Sequence, residues 1–317
     1  MKRSDNPISD HIRPFLEHLD IERGLSNRTQ ETYSRFLGAF VKWLKKNGLE
    51  NMKPHELTED KVWDYRVHLS RKINPKTNEP LKRTSQNYHL IALRNLLKFL
   101  TDKDISSFPP EKIKLAKIKP SDRPVKFLTL EQVKKLLEAP DTSKVIGSRD
   151  RAILELFFST GLRIAELTSL NRDQVKMDRN TEDLEIVVIG KGRRPRPLYF
   201  SPRALLWLKR YIETRDDDEK PLFINYKGPK NADRRLSIRS VENIVKKYAV
   251  MAGLPSFTVP HTIRHSFATN LLSQGVDLRE IQEFLGHKSI STTQIYASVT
   301  SKRLRDIHRK FHGGSLE

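Results

Sequence analysis

The stretch Pro260-His261-Thr262-Ile263-Arg264-His265-Ser266-Phe267-Ala268-Thr269 predicts a helix over 261–273 that begins directly after its proline. His261 and Arg264 stand three apart and so share one face of that helix. Unpaired amides at a helix start favour an anion, and an Arg and a His beside them build a phosphate pocket. Taken alone, His-x-x-Arg reads more simply as a core or surface pair. The rest of the chain has to decide.

Charge gives the first decision. The 317 residues carry 59 Lys+Arg against 39 Asp+Glu, a net +20, and such an excess repels itself unless an acidic partner neutralises it. Nucleic acid is the commonest such partner. The length is about twice the ~150-residue prior for one domain, and 37% hydrophobic residues supply real cores, so two domains are expected. There are no cysteines, which excludes a thiol nucleophile, a Cys-type zinc site, an iron–sulfur cluster and disulfides. No run approaches ~18 apolar residues and residues 1–10 lack an apolar signal region, so the expectation is a cytoplasmic protein with no membrane partner.

Upstream, residues 10–100 read as four amphipathic helices. Ile12, Phe15, Leu16 and Leu19 form one stripe; Tyr33 to Leu44 form a second, opened by Ser26 and Asn27 and stopped at Asn47-Gly48. Val62, Tyr65 and Leu69 mark a third, and Tyr88, Ile91, Ala92, Leu96 and Phe99 a fourth, with a plain loop over 74–80 between them. On the fourth helix Arg83, Asn87, Arg94 and Lys98 share a narrow arc opposite much of the apolar stripe. In a neutral protein this would be a solvated face; with the charge above it reads as a DNA-binding face, because guanidinium and amide groups suit groove edges and phosphates. From Glu111 to Lys126 six Lys/Arg stand against two acids among prolines, a basic linker able to follow a phosphate backbone.

Residues from 127 onward read as mostly helical with one small antiparallel sheet, 184–189 against 196–200 across Gly190-Lys191-Gly192. Thr129 caps a helix to Glu138; further helices are expected over 149–159, 202–214, 240–252, 278–285, 292–298 and 302–311. Several side chains in this half have a plain explanation one at a time: Arg163 as an ion-pair partner of Glu166, Lys191 as a solvated turn lysine, His287 as a helix-end cation, Tyr296 as packing.

Together they stop looking independent. Thr160-Gly161-Leu162-Arg163-Ile164-Ala165-Glu166-Leu167, Gly190-Lys191-Gly192, the block from His261 to Thr269, Leu285-Gly286-His287 and Tyr296 occur in the order and approximate spacing of the tyrosine recombinases. Over nearly its whole length the chain resembles the Xer-type site-specific recombinases. The resemblance implies a helical core-binding, SAM-like domain over 1–104, a linker over 105–126, and a catalytic domain over 127–317 ending in an oligomerisation helix. Tyr296 would attack a DNA phosphodiester, His261 would help take its proton, and Arg163 and Arg264 would grip the non-bridging oxygens. His287 would add a hydrogen bond there, and Lys191 would protonate the departing 5′-oxygen. Glu166 would orient an arginine.

Such a scheme needs no cofactor and no metal. The implied partners are a double-stranded recombination site, further copies in a homotetramer or heterotetramer on two paired sites, and a septal FtsK-type DNA translocase, with strand exchange through a Holliday junction in chromosome- or plasmid-dimer resolution. Mobile-element integration or excision uses the same chemistry. A type IB topoisomerase and a non-catalytic DNA-binding protein are the readings from other classes.

Overall fold

The computed structural model describes residues 1–75, 77–118, 125–177, 181–190, 195–227, 233–286 and 293. The chain forms two compact units, Met1–Asp122 and Arg123–Glu317.

In the first unit the expected helices are α1 (Ile12–Ile21), α2 (Asn27–Lys46), α3 (Glu59–Arg71) and α4 (Arg83–Asp102). Ser26 stands at the N-cap of α2, and the Thr58 hydroxyl accepts the Lys61 amide to start α3. Helix α4 is the centre, with Leu93, Leu96, Leu97 and Leu100 buried against Phe15, Leu37, Phe40, Leu44, Tyr65 and Leu69. The 74–80 loop differs from expectation. It is a hairpin whose two-residue strands β1 (Ile73–Asn74) and β2 (Glu79–Pro80) pair antiparallel, so the chain holds a second small sheet. From residues 105–118, Phe108 and Ile113 enter this core, with Ile105 and Leu115 packed against it.

The second unit is built around α6 (Val145–Thr160), which packs on α5 (Leu130–Glu138), α8 (Pro202–Glu213) and α10 (Pro260–Gln274). The helix expected over 149–159 begins four residues earlier, and it carries Arg149-Asp150-Arg151, a run of residue types that are mostly exposed in proteins. All three are instead buried and paired. Asp150 accepts both Arg149 (2.6 Å) and the Tyr248 hydroxyl (2.9 Å), while Glu155 accepts Arg151 (2.9 Å) and Arg203 (2.7 Å). Burying such charges is tolerable only when they are paired, and each carboxylate here accepts from two donors.

The remaining elements are α7 (Ile164–Ser169), β3 (Glu185–Ile189), β4 (Pro195–Tyr199), α9 (Ile238–Met251) and α11 (Leu278–Leu285). β3 and β4 pair antiparallel with Val187 opposite Pro197. Their inward residues are Ile186 and Val188 on β3, and Arg196 and Leu198 on β4. Among the described residues no helix is long and apolar enough to cross a membrane.

Candidate active site

Helix α6 stops at Gly161, whose φ of +58° suits a residue without a Cβ. Space imposes the same choice, since an added Cβ would sit 2.4 Å from Phe267 Cδ1. The turn hands the chain to Arg163 at the N-cap of α7. There Glu166 closes a capping box, accepting the Arg163 amide on Oε2 (2.7 Å) and its guanidinium on Oε1 (2.8 Å). The apolar reading of this segment is partly reversed: Leu167 is buried, but so is Glu166, and Ala165 faces solvent.

Gly161→Ala is therefore expected to cost about 3 kcal/mol, the sum of a left-handed backbone and an overpacked contact. Gly24→Ala offers the comparison, because φ is +56° there but nothing lies within 4 Å of an added Cβ, so about 1 kcal/mol is expected. Thermal or urea unfolding of the two variants checks the difference.

Helix α10 carries Arg264 inward. The residue is only 2% exposed, and its guanidinium donates to the carbonyls of Gly161 (2.6 Å) and Leu285 (2.6 Å). A basic side chain this deep is held by carbonyl dipoles at two chain ends, the turn after α6 and the C-terminus of α11.

That α11 terminus collects two further arginines. Arg163 donates to the Gly286 carbonyl at 3.1 Å, and Arg196 to the Phe284 carbonyl. Three successive carbonyls, 284, 285 and 286, thus each receive one guanidinium, where a helix end leaves its acceptors unpaired and its dipole negative. Arg196 also reaches Glu166 Oε2 at 2.7 Å, so the carboxylate lies between two cations. Burial pushes the Glu166 carboxyl up, but Arg196 and then Arg163 outweigh it and hold it below the usual carboxylate range. Sequence reasoning did not single out Arg196. Its signal was available: on a strand alternating in and out, it occupies an inward position.

His261 lies at the first turn of α10, open to solvent, with its ring 4.3 Å from that of His265 in an edge contact. Partial desolvation, then the charges of Arg264 and Arg163, hold the His261 pKa below its ordinary value. Burial, then His261 and Arg264, push His265 down to about 4.

The pH dependence of folding follows. The unfolded chain takes up a proton at His265 near 6.5, whereas the folded chain resists until about 4, so the contribution is complete above pH 6.5 and lost as pH falls toward 4. The unfolding midpoint is expected to drop by about 5 °C between pH 6.5 and 5, and His265→Gln to flatten that slope in calorimetry.

The structure brings together Arg163, His261 and Arg264 of the expected site. Lys191, His287 and Tyr296 lie outside the described residues, as do the helices expected over 292–298 (Thr293 apart) and 302–311. On α4, Arg83 and Lys98 are exposed and Arg94 is half-buried. Asn87 is a correction to the expected DNA-binding arc: it is buried, and its side chain makes a two-way amide pair with Ala116, Nδ2 donating to the carbonyl (2.9 Å) and Oδ1 accepting the amide (2.9 Å). The geometry fastens residues 105–118 to α4, a job for which an amide has both the donor and the acceptor. Among the described residues no three His, Asp or Glu side chains cluster as a metal site would require.

Comparison with known proteins places this arrangement. Residues 126–303 match the phage integrase family, and residues 12–104 match the phage integrase N-terminal SAM-like domain. The chain is 34% identical over 316 residues to tyrosine recombinase XerC of Thermodesulfovibrio yellowstonii, covering 97% of each. It is also 34% identical to tyrosine recombinase XerD of Lacticaseibacillus casei, covering 95% of this chain and 98% of the relative. In fold it is similar to the XerH site-specific recombinase bound to palindromic difH substrate in a post-cleavage complex, with TM-score 0.73 at 21% identity, over 97% of this chain and 98% of that one. With 34% identity maintained across nearly the full length and a family match over residues 126–303, the chain belongs to the phage integrase family and is a tyrosine recombinase of the Xer type.

Proposed function

We propose that this chain cuts and rejoins duplex DNA at a specific site through a phosphotyrosyl bond on Tyr296. The supporting observation is the convergence of Arg163 and Arg264 on one turn, beside the His261 imidazole, whose pKa burial and the two guanidiniums lower. A phosphodiester under attack gathers negative charge on its non-bridging oxygens, and fixed guanidiniums stabilise it without reorganising.

In this scheme Tyr296 Oη forms a bond to phosphorus while the bond to the 5′-oxygen breaks. A phenol with an ordinary pKa of ~10 needs help to lose its proton, and His261 accepts it. Lys191, beyond β3 on the Gly190-Lys191-Gly192 turn, gives a proton to the 5′-oxygen, leaving a 5′-hydroxyl and a 3′-phosphotyrosine. His287 supplies another hydrogen bond to the phosphate. The displaced bond energy stays in the phosphotyrosine, so a 5′-hydroxyl of another strand reverses the step and exchanges strands through a Holliday junction without ATP.

Arg83, Arg94 and Lys98 neutralise backbone phosphates in this reading. Two paired sites with a tetramer of copies, resolving chromosome or plasmid dimers in the cytoplasm under a DNA translocase, form the biological setting we favour. The Xer relatives support site-specific recombination as its basis, and XerH is described on its difH site.

The test uses nicked duplexes carrying candidate sites, so that a cut strand diffuses away and traps the covalent step. A protein–DNA band that survives denaturation, with the DNA linked to the peptide containing residue 296, is expected. No adduct across a genomic fragment library, with DNA binding intact, would leave only a binding protein. Products relaxed but never exchanged would indicate a topoisomerase.

A further inference from the structure

The Arg163–Glu166 pair explains how one phosphate-gripping guanidinium is aimed. It does not explain why a third arginine is buried behind that pair. Arg196 is 6% exposed, projects inward from β4, and is held at two points: Glu166 Oε2 at 2.7 Å and the carbonyl of Phe284. Its Cδ passes so close to the backbone of residue 286 that a Cβ there would lie 2.6 Å away; Gly286, at φ +58°, is what allows the approach.

A buried cation is expensive to desolvate, and an apolar residue on β4 would pack the same core at lower cost. What the arginine adds is rigidity with direction. Glu166 holds the Arg163 guanidinium on Oε1, and its Oε2 is shared by Arg196 and the Arg163 amide, so the carboxylate is fixed from both sides. The α11 end has Arg196 on carbonyl 284, Arg264 on 285 and Arg163 on 286, so one strand residue braces both anchors of the Arg163 guanidinium.

We propose that Arg196 is a positioning residue for Arg163, acting through Glu166 and the α11 terminus without contacting the phosphate. The proposal rests on the phosphate-gripping role of Arg163 given above. A misplacement near 1 Å in such a group costs up to ~10²-fold in rate.

The experiment is a double-mutant cycle on single-turnover cleavage, with duplex affinity measured in parallel. Arg196→Met is expected to lower the cleavage rate about 30-fold while duplex affinity changes less than about 2-fold. In an Arg163→Ala background the same change should cost less than about 3-fold, because the group being positioned is gone. Arg196→Lys keeps the charge beside Glu166 but gives up the second donor, and about 10-fold loss is expected; it also serves if the Met variant unfolds.

A second readout is a substrate in which a methyl group replaces one non-bridging oxygen of the scissile phosphate. With less charge to neutralise, the defect of either Arg196 variant should shrink; a merely structural defect would not. The proposal is overturned if both Arg196 variants cleave at the normal rate, if the full loss persists in the Arg163→Ala background, or if the neutral phosphate gives the same defect. Normal cleavage by Arg163→Ala itself would overturn the role of Arg163, a separate failure.

Discussion

Tyr296→Phe is expected to bind its duplex as tightly as the native chain and to give no covalent adduct. Only one oxygen is removed, but it is the atom that would bond to phosphorus. The effect should be total, because Tyr296 alone is assigned to the phosphate in this scheme and the chain has no cysteine to replace it. Gel mobility shift under native conditions and a denaturing gel on nicked substrate separate the two properties. An adduct persisting in the Phe variant would move the nucleophile elsewhere.

Removal of the arginines forms the second large effect. Arg163→Ala and Arg264→Ala should each lower single-turnover cleavage by about 10²- to 10³-fold, the usual cost of losing a fixed donor at a developing oxyanion. Affinity should fall less than about 10-fold, because duplex binding by a chain of net +20 is spread over many phosphate contacts. The two variants are not equivalent. Arg163 is partly exposed, and its removal leaves Glu166 still paired with Arg196. Arg264 is buried and ties two chain ends together, so Arg264→Ala should also lower the unfolding midpoint, which calorimetry will show. Equal losses in affinity and cleavage would mean that the arginines bind ground state and transition state alike.

Much of the fold was legible because its signals are local. The caps at Ser26 and Thr129, the stripe from Tyr33 to Leu44 and the Gly286 stop after α11 depend on residues within one or two turns, and the helices begin and end beside them. The errors share a different cause. Asn87 was expected on a DNA-binding arc and is buried, and nothing in the sequence announced the buried pairing of Arg149, Asp150 and Arg151. Polarity along the chain cannot report a donor or acceptor supplied from 29 residues away at Ala116 or 75 residues away at Ile224. The β1–β2 hairpin escaped notice because two-residue strands have no periodicity to read.

By itself, then, the sequence determined the class of partner through its +20, the absence of thiol chemistry through its missing cysteines, the helical character of both units, and membership of a family through the spaced motifs around Arg163, His261 and Arg264. Tertiary structure decided which of the 59 basic residues are held where chemistry needs them. Arg163, Arg196 and Arg264 come from three elements far apart in sequence and meet on the carbonyls of residues 286, 284 and 285. The physical reason is that a guanidinium is stable when buried only where acceptors converge on it, and convergence is a property of packed helix ends and strands in space rather than of neighbours along a chain.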